Sequence, residues 1–147
     1  MTLIDHVTNS GALPALERTI QFAGRRQSLL AHNIANASTP RFQHKDVSPA
    51  GFQQALREAV VDRRDRTGGT HGELKLEGTR EFAVDERGIR FTPGSQAGRG
   101  VLAHDQNNRD LESLMQDLTE NQAAFRVATE LMRTQVGTMR AAISERP

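Results

Sequence analysis

The chain has 147 residues, with 19 Lys and Arg against 18 Asp and Glu, and 36% of its residues are hydrophobic. This length fits one domain, and a formal net charge of +1 lacks the basic excess that marks nucleic-acid-binding domains. The absence of Cys excludes disulfides, Cys-based zinc sites and thiol catalysis.

The chain divides into three parts by the distribution of Gly and Pro. Residues 1–45 form an N-terminal helix followed by an Asn-Ile-Ala-Asn motif, and residues 107–147 form a C-terminal helix with a heptad pattern. Residues 46–106 hold 9 of the 12 Gly and read as a short helix plus a flexible, extended insertion. We therefore predict a mainly α fold in which two long terminal helices join a Gly-rich middle with short strands.

The first predicted helix begins after residue 11. Met1–Val7 lacks the cationic flank and apolar run of a signal peptide, so we expect no cleaved signal. Pro14 suits a first helical turn, and Pro40 enforces a stop. Between them, one stripe alternates steps of three and four residues, which is typical of a helix that pairs as a coiled coil. Its members are Leu13, Leu16, Ile20, Ala23, Gln27, Leu30, Ile34 and Ala37.

The middle part contains weaker patterns. Ser48 and Pro49 are typical of a helix start, and the apolar residues from Phe52 to Val60 predict a short amphipathic helix. The charged run 62–69 predicts a solvated, flexible loop. Alternating polar and apolar residues predict short strands at Glu73–Leu76 and Ile89–Phe91, and residues 92–107 predict an extended connection.

The last predicted helix carries a longer stripe, with Asn108 or Asp110 as its N-cap. The stripe consists of Leu111, Met115, Leu118, Gln122, Phe125, Thr129, Met132, Val136, Met139 and Ile143. Narrow stripes bury only a seam, so we predict a coiled-coil-type bundle completed by neighbouring subunits. The alternative is a helical hairpin within one chain.

The sequence contains no recognisable pattern of catalytic, phosphate-binding or metal-binding residues. The five His lie at no metal-ligand spacing, the Gly-rich stretches lack the ending of a phosphate-binding loop, and no Ser lies in a nucleophile elbow. No stretch approaches the roughly 18 apolar residues of a membrane span. We therefore expect no catalytic site, cofactor, metal, nucleic acid or direct membrane insertion.

The segment after the first stripe resembles a signature of bacterial flagellar rod, hook and hook-associated proteins. Asn33, Ile34, Ala35, Asn36, Ala37, Thr39 and Pro40 match it, Arg41 replaces the usual Gly, and Phe42 replaces the usual Tyr. Residues 107–112, 120–125, 128–132 and 139–143 are similar to the basal-body rod proteins of the proximal rod. The chain is thereby identified as similar to the flagellar basal-body rod protein family.

This resemblance implies a structural subunit of the proximal rod that transmits torque. The family implies export by the flagellar type III apparatus into the periplasmic rod, with copies of itself, other rod proteins and the membrane-ring and export-gate base as partners. The stripe residues would form the assembly interface: Leu16, Ile20, Leu30, Ile34, Leu111, Met115, Leu118, Phe125, Met132, Val136, Met139 and Ile143. Phe52 and Leu56 resemble the element by which the export gate recognises early substrates.

Two other classes of function remain open from the residues. The heptads equally fit a cytosolic coiled-coil adaptor or flagellar export chaperone. A small hydrolase with its site in the Gly-rich middle is the third class, although it lacks any nucleophile or metal pattern.

Overall fold

The computed structural model describes residues 9–85, 87–95 and 111–144. In chain order its elements are α1 (Leu13–Ala35), β1 (Lys45–Asp46), α2 (Pro49–Thr67), β2 (Phe82–Asp85), β3 (Gly88–Phe91), β4 (Gly94–Ser95) and α3 (Leu111–Ser144). The predicted mainly α class, with long terminal helices and a small strand region, is confirmed. The predicted N-cap of α3 at Asn108 or Asp110 lies outside the described residues.

Helix α1 starts as predicted but ends at Ala35, before the stripe member Ala37 and before the predicted stop at Pro40. Pro14 lies in its first turn, where a missing N–H costs nothing. At the other end the backbone N–H of Asn36 donates to the carbonyl groups of the last turn, and the Asn36 side chain donates to the His32 carbonyl at 2.8 Å. These bonds satisfy carbonyls that a helix end otherwise leaves unpaired.

Helix α2 is longer than the sequence predicts. Ser48 caps its N-terminus as predicted, because its hydroxyl accepts a hydrogen bond from the Gly51 N–H at 3.0 Å. The prediction of a flexible loop over residues 62–69 is wrong, since the helix goes on to Thr67 and ends where Gly68 adopts a φ of 69°. The cause is tertiary, because Arg63 packs inward and its Nη2 donates to the Gly11 carbonyl at 2.8 Å.

The strands form two small antiparallel ladders. β2 and β3 pair as a hairpin, with Phe82 opposite Phe91, and β1 pairs with β4. The predicted strand at Ile89–Phe91 lies within β3. The predicted strand at Glu73–Leu76 is wrong, because these residues run beside the core without joining a ladder.

The core lies between α1, α2 and the strand region. Four of the six Phe meet there: the rings of Phe22 and Phe52 stack at 4.1 Å, and Phe82 and Phe91 pack edge-on against Phe22. The other buried apolar members are Val47, Ala59, Leu74, Leu76 and Ile89. The aromatic volume is thus concentrated in the middle part and on one face of α1.

The opposite face of α1 packs along α3. Gly24 lies beside the ring of Phe125, and Gly11 lies beside Gln135, so the two helices run antiparallel. By this register the part of α3 after Gln135 extends past Leu13, the first residue of α1. The terminal helices therefore form a hairpin within the chain.

Candidate assembly interface

Asn33 of the signature motif ties α1 to β1. Its side chain is almost fully buried, at 1% exposure. Nδ2 donates to the Lys45 carbonyl at 2.7 Å, and Oδ1 accepts from the Lys45 N–H at 3.2 Å. The amide thus satisfies both backbone groups of one strand residue, which an apolar side chain cannot do.

The turn after α1 contains the position where the sequence departs from the motif. Arg41 adopts a φ of 61°, the left-handed region that glycine occupies without steric cost. The Phe42 ring packs between those of His32 and His44, each at a centroid distance of 5.6 Å. The aromatic part of the motif therefore holds the turn against α1, while Arg41 is strained.

Arg26 joins three parts of the chain. Its Nε donates to Asp46 Oδ1 of β1 at 2.9 Å, and its Nη2 lies 3.5 Å from Asp117 Oδ1 of α3. Burial alone would lower the pKa of Arg26, but the hydrogen bonds and charge of Asp46, with those of Asp117, outweigh burial and raise the pKa. Paired in this way, the buried cation is stabilised where an isolated one would not be.

Asn121 sets the register between α1 and α3. It is buried in the seam, and its Nδ2 donates to the Ala23 carbonyl at 2.9 Å and to Gln27 Oε1 at 3.1 Å. A buried polar pair of this kind disfavours shifted alignments, because a slip would leave the amide unpaired.

The buried face of α3 is displaced from the predicted stripe. Its buried residues Leu114, Asn121 and Ala128 recur every seven residues, each directly before a member of that stripe. Four apolar stripe residues stay exposed, Leu111 at 46%, Met115 at 46%, Phe125 at 38% and Ile143 at 65%, and the polar member Gln122 is exposed too. Leu118, Met132, Val136 and Met139 are half-buried. We name the exposed apolar residues Leu111, Met115 and Phe125 the open flank of α3.

The predicted interface residues of α1 are less available. Leu30 is fully buried within the chain, whereas Leu16, Ile20 and Ile34 are half-buried. Most of the apolar surface that the described helices leave exposed therefore lies on α3, where Val127 and Leu131 are also exposed.

The predicted export element lies inside the fold. Phe52 is buried against Phe22, and Leu56 is half-buried against the same core. In the folded chain a partner could reach Phe52 only if α2 were displaced.

Sequence reasoning missed the polar residues that hold these elements together. Arg26 and Asn121 each directly precede a polar stripe member, Gln27 or Gln122, and a pair of polar residues at the edge of an apolar stripe is the one local signal for them. In the described ranges, no group of three His, Asp or Glu side chains is arranged to hold a metal. Likewise, no helix of the described part is long and apolar enough to cross a membrane.

Comparison with known proteins finds relatives that all carry the same protein name. No protein-family model matches the chain. The flagellar basal body rod protein FlgB of Borrelia hermsii is 30% identical, over 78% of this chain and 82% of the relative. A FlgB of Proteus mirabilis (strain HI4320) is 29% identical over 90% of this chain and 98% of the relative.

A third relative, the FlgB of Salmonella typhimurium (strain LT2), is 38% identical over 40% of each chain. The chain belongs to the FlgB family of flagellar basal body rod proteins.

Proposed function

We propose that the chain is a structural subunit of the proximal rod of the bacterial flagellar basal body and that it assembles through its terminal helices. The observation that carries this proposal is the open flank of α3. One side of α3 packs on α1, with part of the Phe125 ring against Gly24, while Leu111, Met115 and the rest of that ring remain exposed apolar surface in the described part of the chain. Apolar surface of this kind is typical of a protein interface.

The partners in this proposal are further copies of the chain, other rod proteins, and the membrane-ring and export-gate components at the rod base. The names of the relatives support the rod as the location. In this position the subunit would transmit torque outward and would have no catalytic role.

The interface is tested by a charge on the open flank. Met115→Lys should abolish rod assembly and leave the folded monomer intact, because residue 115 is exposed and a lysine there costs little in the free chain. Gln116→Lys is the matched control, since it places the same charge one residue further on, at another exposed position. Normal rods from Met115→Lys would contradict the proposal.

The cellular location of the chain distinguishes a rod subunit from a cytosolic adaptor or export chaperone. Mass spectrometry of purified basal bodies should find the chain in stoichiometric amounts, and electron microscopy should assign it density in the rod. A chain found only in the cytosol would be an adaptor or chaperone instead.

We further propose that the chain is exported by the flagellar type III apparatus without cleavage, and that Phe52 and Leu56 are read before the chain folds. Because Phe52 is buried in the folded chain, its replacement by Ser should reduce both export and stability. Phe82→Ser is the control, since it damages the same core outside the proposed element. Equal export of the two variants would contradict the recognition role.

A further inference from the structure

Residues 73–77, which we name the edge segment, run extended beside the core but form no ladder. Leu74 and Leu76 are buried, whereas Glu73, Lys75 and Glu77 are exposed, which is the period-two burial of a β-strand. Arg66 donates to the Glu73 carbonyl at 3.2 Å. Within the described part of the chain, the backbone N–H and C=O groups from Leu74 to Glu77 have no hydrogen-bond partner.

The ends of the edge segment are held in place. Downstream, the Thr79 N–H donates to the Phe82 carbonyl at 2.8 Å, and Gly78 lies so close to that carbonyl that a Cβ there would approach it to 2.8 Å. The two Leu side chains fix the middle of the segment in the core. The segment is therefore preorganised as a strand, which lowers the entropy cost of pairing.

A groove of about 490 Å³ lies between α2 and residues 75–79. Small side chains, Ala55 and Ala59, line it from α2, together with charged residues of both signs. A strand added beside the edge segment would place every second side chain on the same side as the buried Leu74 and Leu76. Aliphatic residues therefore fit the inward positions of such a strand.

The exposed charges of the edge segment determine which side chains fit the outward positions of an added strand. The edge segment presents Glu73, Lys75 and Glu77 on one face, and these carboxylates and this ammonium group form no ion pair with other described residues. A second copy with its Lys75 opposite Lys75 would set like charges opposite each other in either direction, which is destabilising, and a shift by two residues would match only two of the three charges. A strand with the sequence of charges Lys-x-Glu-x-Lys would be complementary in either direction.

We propose that the edge segment is a docking site for an extended strand of another protein that carries aliphatic residues inward and Lys-x-Glu-x-Lys outward. The backbone groups of Leu74–Glu77 supply the pairing, and the three charges supply the specificity. This inference stands independently of the place of the chain in the rod.

The test is a nuclear magnetic resonance titration of the full chain with two capped peptides. Lys-Leu-Glu-Leu-Lys should shift the amide signals of Leu74–Glu77 and bind about ten-fold more tightly than Glu-Leu-Lys-Leu-Glu, because three cross-strand pairs change from repulsive to attractive. The second peptide reproduces the charge order of the edge segment. Non-specific attraction to a chain of net charge +1 would favour it instead.

A variant of the chain with these three charges reversed provides the reciprocal test. The triple variant Glu73→Lys, Lys75→Glu and Glu77→Lys should reverse the peptide preference, while Arg57→Glu, on an exposed position of α2, should leave it unchanged. Equal binding of both peptides, shifts away from the edge segment, or no shift at all would overturn the proposal. Tighter binding of Glu-Leu-Lys-Leu-Glu to the wild-type chain would also overturn it and indicate non-specific attraction to the net charge.

Discussion

The Asn33 side chain makes the kind of paired backbone hydrogen bonds that a neighbouring β-strand would make. Its two hydrogen bonds to Lys45 satisfy backbone groups next to the buried Asp46. Replacement by Ala removes both bonds and leaves the Lys45 groups without their partner. We expect Asn33→Ala to lower the free energy of unfolding by about 2–3 kcal/mol, measured by urea denaturation.

Asn36→Ala is the control for this loss, because Asn36 caps the helix from a half-exposed position with one backbone bond. It should cost about 1 kcal/mol or less. Equal losses for the two variants would contradict a special role of Asn33 in holding β1.

Replacing Arg41 with Gly should relieve backbone strain in the turn after α1. Its φ of 61° costs a non-glycine residue about 1 kcal/mol, so Arg41→Gly should be more stable than Arg41→Ala by about that amount. Thermal denaturation of the two variants, which share the loss of the side chain, isolates the backbone effect. An Ala variant as stable as the Gly variant would refute the strain.

Arg63 is a buried cation with incomplete pairing. Only 2% of the residue is exposed, and its Nε and Nη1 have no hydrogen-bond partner among the described residues. Burial, together with the charge of Arg64, lowers the pKa of Arg63. A lowered pKa means that the charged form is disfavoured in the folded state, so the charge opposes folding at any pH below that pKa.

We therefore expect Arg63→Met to be at least as stable as the wild type, with a gain of up to about 1 kcal/mol, since Met keeps much of the aliphatic volume. Arg63→Ala should be less stable than either, because it leaves a cavity. Urea denaturation of the wild type and the two variants measures the free energy of unfolding of each. A Met variant as unstable as the Ala variant would mean that the guanidinium stabilises the fold.

At the scale of elements, the ion group of Arg26, Asp46 and Asp117 is the strongest polar tie. Asp46→Asn leaves the buried Arg26 without its main partner and should lower the free energy of unfolding by about 3–5 kcal/mol. Asp117→Asn should cost about 1 kcal/mol, because that carboxylate is farther away and partly exposed. Calorimetry of both variants measures this ranking, and a reversed order would refute it.

The elements differ in how far the sequence predicts them. The terminal helices follow from a local period, and the first-turn Pro14 of α1 and the N-cap Ser48 of α2 follow from local chemistry. Which face of α3 packs inward could not be predicted, because neighbouring stripes differ by one residue and the choice depends on Asn121 meeting Ala23 and Gln27. The end of α2 was missed for the same reason, since Arg63 binds a carbonyl 52 positions away.

The sequence predicts the candidate interface in less detail than the fold. Heptads identify which residues are able to pair, but not which of them the chain covers itself. Leu30 and Leu111 occupy equivalent places in their stripes, yet only Leu111 is left exposed. The edge segment has the alternation of a strand in its sequence, but no local pattern shows that its hydrogen bonds are left open.

At the scale of the whole molecule, burial is uneven along the terminal hairpin. The buried residues of α3 all lie between Leu114 and Ala128, and from Thr129 to Ser144 none is fully buried. We expect the amides of residues 129–144 to exchange hydrogen faster than those of residues 114–128 in the free chain. In assembled rods this difference should vanish, and equal protection in the dilute monomer would contradict the shared interface.

Arg26 has a mechanical consequence. A guanidinium that holds carboxylates on two other elements gives α3 a connection to β1 only a few atoms long, whereas the backbone route between them takes in all of α2 and the strand region. A force on α3 would reach the middle of the chain through this connection first. Stiffness against twisting should therefore depend on two ion pairs more than on the length or sequence of the intervening loops.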